Sequence, residues 1–173
     1  MTTINNLELE QLLNRTLNSE AINDYAPNGL QVEGKSAVSK IITGVTACQA
    51  LLDYAVERQA DAVLVHHGYF WKNENPLIRG MKANRIRTLL KNEINLYGYH
   101  LPLDVHPTLG NNALLAAMLG IENLQPLEQS AVSIPVYGEL KTALSGVELA
   151  VRLEQVLQRQ PLHCGDNAPE QIR

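Results

Sequence analysis

Two adjacent histidines and a later histidine and aspartate are the residues of this sequence best suited to bind a metal ion. His66 and His67 end a short apolar run and precede Gly68, whereas His100 and Asp104 lie in the segment YHLPLD. Imidazole nitrogens with a carboxylate suit zinc, iron, manganese, cobalt or nickel, and do not favour calcium. Such an ion lowers the pKa of its bound water toward about 7, so the expected chemistry is activation of water.

The adjacent pair also has a structural interpretation. Neighbouring side chains on a regular strand point to opposite faces of the sheet, so His66 and His67 serve one site only if the chain leaves the sheet there. Gly68 permits such a departure. A single histidine is more often packed or hydrogen-bonded than metal-binding, and we assign His106 and His163 to that class.

His100 and Asp104 each allow more than one role. Asp104 supplies negative charge and can bridge two ions, or it is a turn residue ahead of Pro107. His100 is a metal ligand, a group that orients Asp104, or a general acid and base, and we favour the last two roles.

The pattern of strands and helices explains how these residues could meet. The unalternating apolar run from Ala62 to Val65 is typical of a strand buried on both faces of a parallel sheet. Further strands are expected at 40–45 and 94–99, with helices at 46–59 and 81–91 between the strands. This order predicts a parallel-sheet, three-layer α/β/α domain, in which the carboxyl ends of the strands bring the candidate residues to one sheet edge.

The predicted α/β/α domain spans residues 1–124. Its first helix begins after Asn5, a typical N-cap, and Thr46 is expected to cap the second helix. The segment from Asp24 to Gly34 has turn chemistry, and we favour a simple turn over a loop that lines the site.

Residues 125–173 are expected to begin a second, smaller α/β lobe. Their prolines and short β-type pieces differ from the helix and strand alternation of the first domain, and a lobe of this size is too small to close its own core. The expected elements are strands at Val132–Val136, Tyr137–Leu140 and Leu162–Cys164, with a helix capped by Ser145 and Glu148 that runs to Gln158.

Composition excludes several classes of protein. With 45% hydrophobic and 18% charged residues, the chain reads as a globular protein rather than a disordered one. Its net charge of −4 makes nucleic acid an unfavoured partner. Neither a membrane span nor a secretory signal is recognisable, so we expect a cytoplasmic protein in which Cys48 and Cys164 are reduced thiols.

Three aromatic residues follow the histidine pair directly. Tyr69, Phe70 and Trp71, the only tryptophan, either stack on a heterocycle beside the metal or cover the sheet edge. We favour the covering role.

An ordered set of motifs resembles one protein family. The segments are DYAPNGLQVEG, ITGVTA, HHGYFWK, RGMK, LYGYHLPLD and GNNA. Together they resemble the Nif-three-like proteins, also called GTP cyclohydrolase I type 2 homologues, in their YbgI-like bacterial branch. The resemblance implies a two-lobed α/β protein with a dinuclear metal centre, commonly a toroidal homohexamer. It makes His66, His67 and Asp104 the metal ligands and His100 a neighbour that supports them.

The family pattern also has a part that this sequence does not match. The resemblance implies two further ligands near the carboxyl terminus, a histidine and a glutamate four residues later, and neither has a counterpart here. We therefore expect a chain that lacks the family's C-terminal part and holds up to two divalent ions per subunit, completed by water, substrate or a neighbouring subunit. Metal binding should then be weaker than in a longer family member.

Two functional hypotheses follow. The first is metal-dependent hydrolysis of a nucleotide or a pterin-like heterocycle, in which His100 moves protons. The second is a non-catalytic metal-binding ring that stores, delivers or senses metal or docks a partner. DNA threading through a ring ranks last because the chain is acidic.

Overall fold

The computed structural model describes residues 2–129, 133–165 and 169–173. The chain divides into two compact units, Met1–Leu103 and Asp104–Arg173. The division falls earlier than the sequence-based boundary after residue 124, which stays a prediction about domains. The helix at Asn111–Leu119 thus groups with the strands that follow it in the chain.

The first unit is built on a four-stranded sheet. The elements of this unit, in chain order, are β1 (Ile4–Asn5), α1 (Asn6–Leu17), β2 (Gly29–Val32), β3 (Ala37–Val38), β4 (Ile41–Thr46), α2 (Gln49–Glu57), β5 (Ala62–His67), α3 (Gly80–Lys91) and β6 (Asn95–Gly98). The order across the sheet is β2, β6, β5, β4. Three of these strands are parallel, and β2 is antiparallel to β6.

This topology confirms the predicted βαβαβ order and the α/β class. Strands β4, β5 and β6 pair in parallel, with Thr43 opposite Leu64 and Leu64 opposite Tyr97. The edge strand β2 was not expected, because its segment was interpreted as a simple turn. Gly29–Val32 instead pairs with β6 through a register shift, which shows that this part of the loop is a strand.

Hydrophobic side chains cover both faces of the sheet. On one face, Val63 and Leu96 pack in a cluster with Leu52 of α2 and Leu89 of α3. On the other face the neighbouring strand positions pack against α1, with Leu9, Leu17, Ala62, Tyr97 and Tyr99 buried. Because successive residues of β5 face opposite sides, the unalternating apolar run is what a strand between two helical layers requires.

The predicted N-cap residue is correct for α1 and wrong for α2. Asn5 caps α1, since its side chain accepts a hydrogen bond from the Leu7 N–H. Thr46 was predicted to cap α2, and this was wrong: Thr46 is the last residue of β4, and Cys48 takes the N-cap position without a side-chain hydrogen bond.

The second unit contains a hairpin and two longer helices. A short helix, α4 (Leu101–Val105), crosses the division between the units. It is followed by α5 (Asn111–Leu119), β7 (Ile121–Pro126), β8 (Val136–Leu140) and α6 (Gly146–Leu157), and β7 pairs with β8 in antiparallel fashion.

The capping box before α6 is present as predicted, with Ser145 and Glu148 bonding each other's backbone N–H. The predicted strand at Leu162–Cys164 is wrong, because these residues have no regular secondary structure in the described part of the chain. Val132, which was predicted to open a strand, lies outside the described residues. Among the described residues, no helix is both long enough and apolar enough to span a membrane.

Candidate metal centre

Strand β5 ends in two histidines, at the edge of the sheet where the parallel strands have their carboxyl ends. It ends at His67, which lies opposite Thr46, the last residue of β4. The Nδ1 atom of His66 lies 3.1 Å from the Tyr99 carbonyl, and Nδ1 of His67 lies 3.3 Å from Thr46 Oγ1. Since a backbone carbonyl only accepts hydrogen bonds, Nδ1 of His66 carries the proton and the lone pair of the neutral ring is on Nε2.

Gly68 leaves room for a neighbouring side chain at the end of β5 and is not needed there for backbone freedom. Its φ is outside the left-handed region, whereas Phe70 has a φ of 64°. A Cβ atom at Gly68 would collide with the side-chain amide of Gln31, and so would one at Gly98. Gln31 therefore occupies the space above both strand ends, where its Oε1 accepts a hydrogen bond from the Tyr69 N–H at 2.7 Å.

His100 is held by a polar loop that precedes β2. Its Nδ1 lies 3.0 Å from Asp24 Oδ1, and its backbone N–H donates to Asn28 Oδ1 at 2.8 Å. The second oxygen of Asp24 accepts from the Leu101 N–H at 2.8 Å and from the Asn28 amide at 3.1 Å. The Asp24 carboxylate thus fixes the ring of His100, with the proton on Nδ1 and the lone pair of the neutral ring on Nε2.

Asp24 stays ionised although its side chain is only 2% exposed. Burial alone would raise the pKa of this carboxyl, but hydrogen bonds from His100, the Ala26 N–H, Asn28 and the Leu101 N–H outweigh burial and lower the pKa below its usual value.

The three imidazoles converge on one point. One nitrogen from each of His66, His67 and His100 lies within 4.8 Å of the others, so the three residues could hold a metal ion. The ring centroids are separated by 4.5 Å for His66 and His67, 4.8 Å for His66 and His100, and 5.6 Å for His67 and His100. His100 is 6% exposed, and the other two are half-buried. The adjacent pair thus serves one cluster, as the sequence required of a metal site.

Asp104 is the first residue of the second unit. Its Oδ1 accepts a hydrogen bond from the Asn111 side chain at 2.7 Å. Its role as a metal ligand stays a prediction.

The aromatic residues after β5 divide into three different environments. Tyr69 is buried, and its hydroxyl donates to the Ala47 carbonyl at 2.7 Å. Phe70 faces the Lys82 ammonium, 5.1 Å from the ring centre. Trp71 alone of the three lies against the histidines, with its ring 5.0 Å from that of His100 and 5.9 Å from that of His67.

Sequence reasoning missed the part that Asp24 and Asn28 play. The loop was favoured as a simple turn, and the structure shows that it lines the histidine cluster. A simple turn and a loop that lines the site have the same local sequence signal. An aspartate followed by Pro27 and Asn28 is common in ordinary turns. The contact with His100 joins residues 76 positions apart and has no local signature.

The fold and this cluster define an α/β protein with a candidate site for a divalent metal ion. A model of the family Duf34/NIF3 (NGG1p interacting factor 3) matches residues 4–173, and the chain belongs to that family. The resemblance stated from the sequence motifs is thereby confirmed.

Curated relatives support the same assignment. A "GTP cyclohydrolase 1 type 2 homolog" from Pasteurella multocida (strain Pm70) is 72% identical over 170 residues, which cover 98% of this chain and 68% of the relative. A protein of the same name from Escherichia coli (strain K12) is 62% identical over 168 residues, covering 97% and 66%. The chain spans about two thirds of the length of these relatives.

Solved structures agree in fold. The structure described as "protein ybgI, unknown function" has a TM-score of 0.91 and 62% identity, covering 97% of this chain and 66% of that one. TTHA1606 from Thermus thermophilus has a TM-score of 0.83 and 36% identity, covering 97% and 67%.

Proposed function

We propose that this chain is a metal-dependent hydrolase that acts on a nucleotide or a pterin-like heterocycle. The observation that carries the proposal is the convergence of His66, His67 and His100, with one ligand atom from each within 4.8 Å of the others. Imidazole clusters of this kind suit zinc, iron, manganese, cobalt or nickel.

The donor set fits such an ion. In both His66 and His100, Nδ1 faces an acceptor within the protein, the Tyr99 carbonyl for one and the Asp24 carboxylate for the other. This arrangement selects the tautomer whose lone pair is on Nε2. In His66 that nitrogen would bind the ion, and in His100 it would take up a proton. When bound, the ion would supply Lewis-acid activation of water near neutral pH. Following the sequence prediction, we include Asp104 as a further ligand, with up to two ions per subunit.

The protein's own groups would position the substrate and move protons. In this proposal His66 and His67 bind the metal, and His100 transfers a proton through its Nε2. Asp24 holds the opposite nitrogen of that ring and stabilises the imidazolium that forms when Nε2 takes a proton. The buried position of His100 keeps this exchange away from bulk water.

The names of the relatives suggest the first substrate to try. Proteins 72% and 62% identical to this chain carry the name GTP cyclohydrolase 1 type 2 homolog. A fold and a metal site do not determine a substrate, so GTP is the first member of a panel that also includes other nucleotides and pterins.

The experiment is a turnover assay with the purified chain, loaded in turn with each first-row divalent ion. We expect hydrolysis of at least one panel member, its loss in His66→Ala, and retained metal with lost turnover in His100→Ala. His163→Ala, which changes an exposed histidine of the second unit, is the matched control. Metal binding without turnover of any panel member would refute the enzyme and favour the metal-binding ring.

The proposal also includes location and assembly. Following the sequence resemblance, we propose a cytoplasmic homohexamer of toroidal shape. Measurement of the mass in solution by light scattering tests this part, and a monomeric mass at micromolar concentration would contradict it.

A further inference from the structure

An aromatic surface lies beside the histidine cluster. We propose that Tyr25 and Trp71 form an aromatic platform, on which the planar ring of a heterocyclic substrate stacks next to His100. This inference rests on the proposed function and names the residues that would recognise its substrate.

The two rings lie against the cluster and against each other. Both are edge-on to His100, with ring centroids 5.0 Å away in each case. Their own centroids are 5.7 Å apart, with an angle of 34° between the planes. The pair therefore borders the histidine cluster directly.

The backbone holds the pair in place before any ligand binds. The Lys72 N–H donates to the Tyr25 carbonyl at 2.8 Å, which joins the loop after β5 to the loop before β2. The neighbouring Asp24 is anchored to His100, and the Trp71 N–H donates to the Glu74 carboxylate at 3.2 Å. A platform fixed in this way loses little conformational entropy when a ligand stacks on it.

The separation of the rings decides where the ligand lies. A third ring between Tyr25 and Trp71 would need a gap of roughly twice the 3.5 to 4 Å contact distance of carbon atoms. The 5.7 Å spacing is smaller, so the ligand cannot enter between them. The ligand stacks instead on the solvent-exposed side of the pair, where Tyr25 is 53% exposed.

The two neighbouring aromatic residues do not share this arrangement. Tyr69 belongs to the hydrophobic core, and Phe70 pairs with Lys82. Tyr69 is buried, whereas the tyrosine of the platform is more than half exposed. Exposed aromatic faces of this kind bind nucleobases and similar flat heterocycles with little preference among them.

The test measures ring binding apart from metal and turnover. Guanosine, which has a planar base and no phosphate, is titrated into the chain after metal has been removed with a chelator, and binding is measured by equilibrium dialysis. Trp71, the only tryptophan, reports the location of the ligand by its fluorescence. Ribose serves as the ligand control without an aromatic ring.

Tyr25→Leu is expected to weaken guanosine binding about tenfold, because it removes one stacking face. Tyr25→Phe keeps the face and should bind as the unchanged chain does. Tyr54→Leu is the matched control, since Tyr54 is an exposed tyrosine on α2 whose ring contacts Arg58.

The inference is overturned if the unchanged chain binds guanosine no better than ribose, or if Tyr25→Leu binds it as tightly as Tyr54→Leu. Its failure is distinguishable from failure of the proposed function. Turnover with an unchanged KM in Tyr25→Leu would contradict the aromatic platform and leave the proposed hydrolase standing. Guanosine binding by a chain that hydrolyses no panel member would contradict the hydrolase and leave the platform standing.

Discussion

The two units of the chain differ in the number of apolar side chains that are buried within each unit. The first unit covers both faces of its sheet with buried side chains. Among the described residues of the second unit, the buried apolar side chains are Ala116, Leu119 and Leu140, while α5 and α6 expose several large apolar residues. The histidine cluster belongs to the unit with the larger core, where packing on both sides holds the strand ends in place.

The largest expected effect tests this difference in packing directly. Leu52→Ala on α2 removes a side chain that is 0% exposed and should lower the free energy of unfolding by about 2–5 kcal/mol. Leu114→Ala on α5 removes one that is 51% exposed and should change it by no more than about 0.5 kcal/mol. Urea unfolding of both variants checks the contrast, and equal losses would break it.

A buried carboxylate of the first unit should give the next largest effect. Asp61 accepts hydrogen bonds from the Ser39 N–H and hydroxyl and from the Lys40 N–H, and it pairs with Lys35. Burial by itself would raise the pKa of Asp61, but the contacts with Lys35, Ser39 and Lys40 hold the pKa well below its usual value.

Asp61→Asn should therefore destabilise the chain by about 1.5–3 kcal/mol at pH 7. The ionised form stabilises the fold above the unfolded pKa of about 3.9, and this contribution is lost as the pH falls through the lower folded pKa. The difference between variant and unchanged chain should shrink toward acid pH. Unfolding measured across that range checks the sign, and a difference independent of pH would contradict it.

Asp24→Asn tests whether the loop before β2, which belongs to the first unit, keeps His100 in position. The amide keeps the size of the side chain but removes the charge that supports the ring of His100, so turnover should fall by about 10- to 100-fold while zinc stays bound. Asp53→Asn is the matched control, because Asp53 is an exposed aspartate on α2 that contacts Gln49. Equal turnover rates in the two zinc-loaded variants, measured with the same substrate, would show that the loop before β2 does not support His100.

The smallest effect is expected from a carboxylate of the second unit. Glu148 also has a lowered pKa, caused by hydrogen bonds from the Ser145 N–H and hydroxyl, but the side chain is fully exposed to solvent. Glu148→Gln should change the unfolding free energy less than Asp61→Asn does, and added salt should reduce the change further. A loss as large as that of Asp61→Asn would contradict the contrast between the units.

The sequence predicted the order of the first unit well because its central strand is an unbroken apolar run and its helices have the periodic apolar pattern of amphipathic helices. It failed at Gly29–Val32, a strand of four residues whose pairing with β6 depends on contacts distant in the chain. The prediction at Leu162–Cys164 failed for the opposite reason. These residues favour a strand, but no strand among the described residues pairs with them.

The candidate site was predictable in part for the same physical reason. His66 and His67 are recognisable because parallel strands bring their carboxyl ends to one edge. The proximity of His100 to that pair follows from the register of β5 and β6. The support of its ring by Asp24 does not follow from any local pattern, since a buried hydrogen bond between distant loops leaves only turn residues in the sequence.

Zinc titration of the metal-free chain by calorimetry tests the central claim most directly, with His66→Ala/His67→Ala and His163→Ala compared under the same conditions. We expect stoichiometric zinc binding by the unchanged chain and by His163→Ala, and loss of that binding in the double variant. Equal zinc binding by the double variant and the unchanged chain, or none by either, would contradict the claim that the imidazoles at this sheet edge form a metal site.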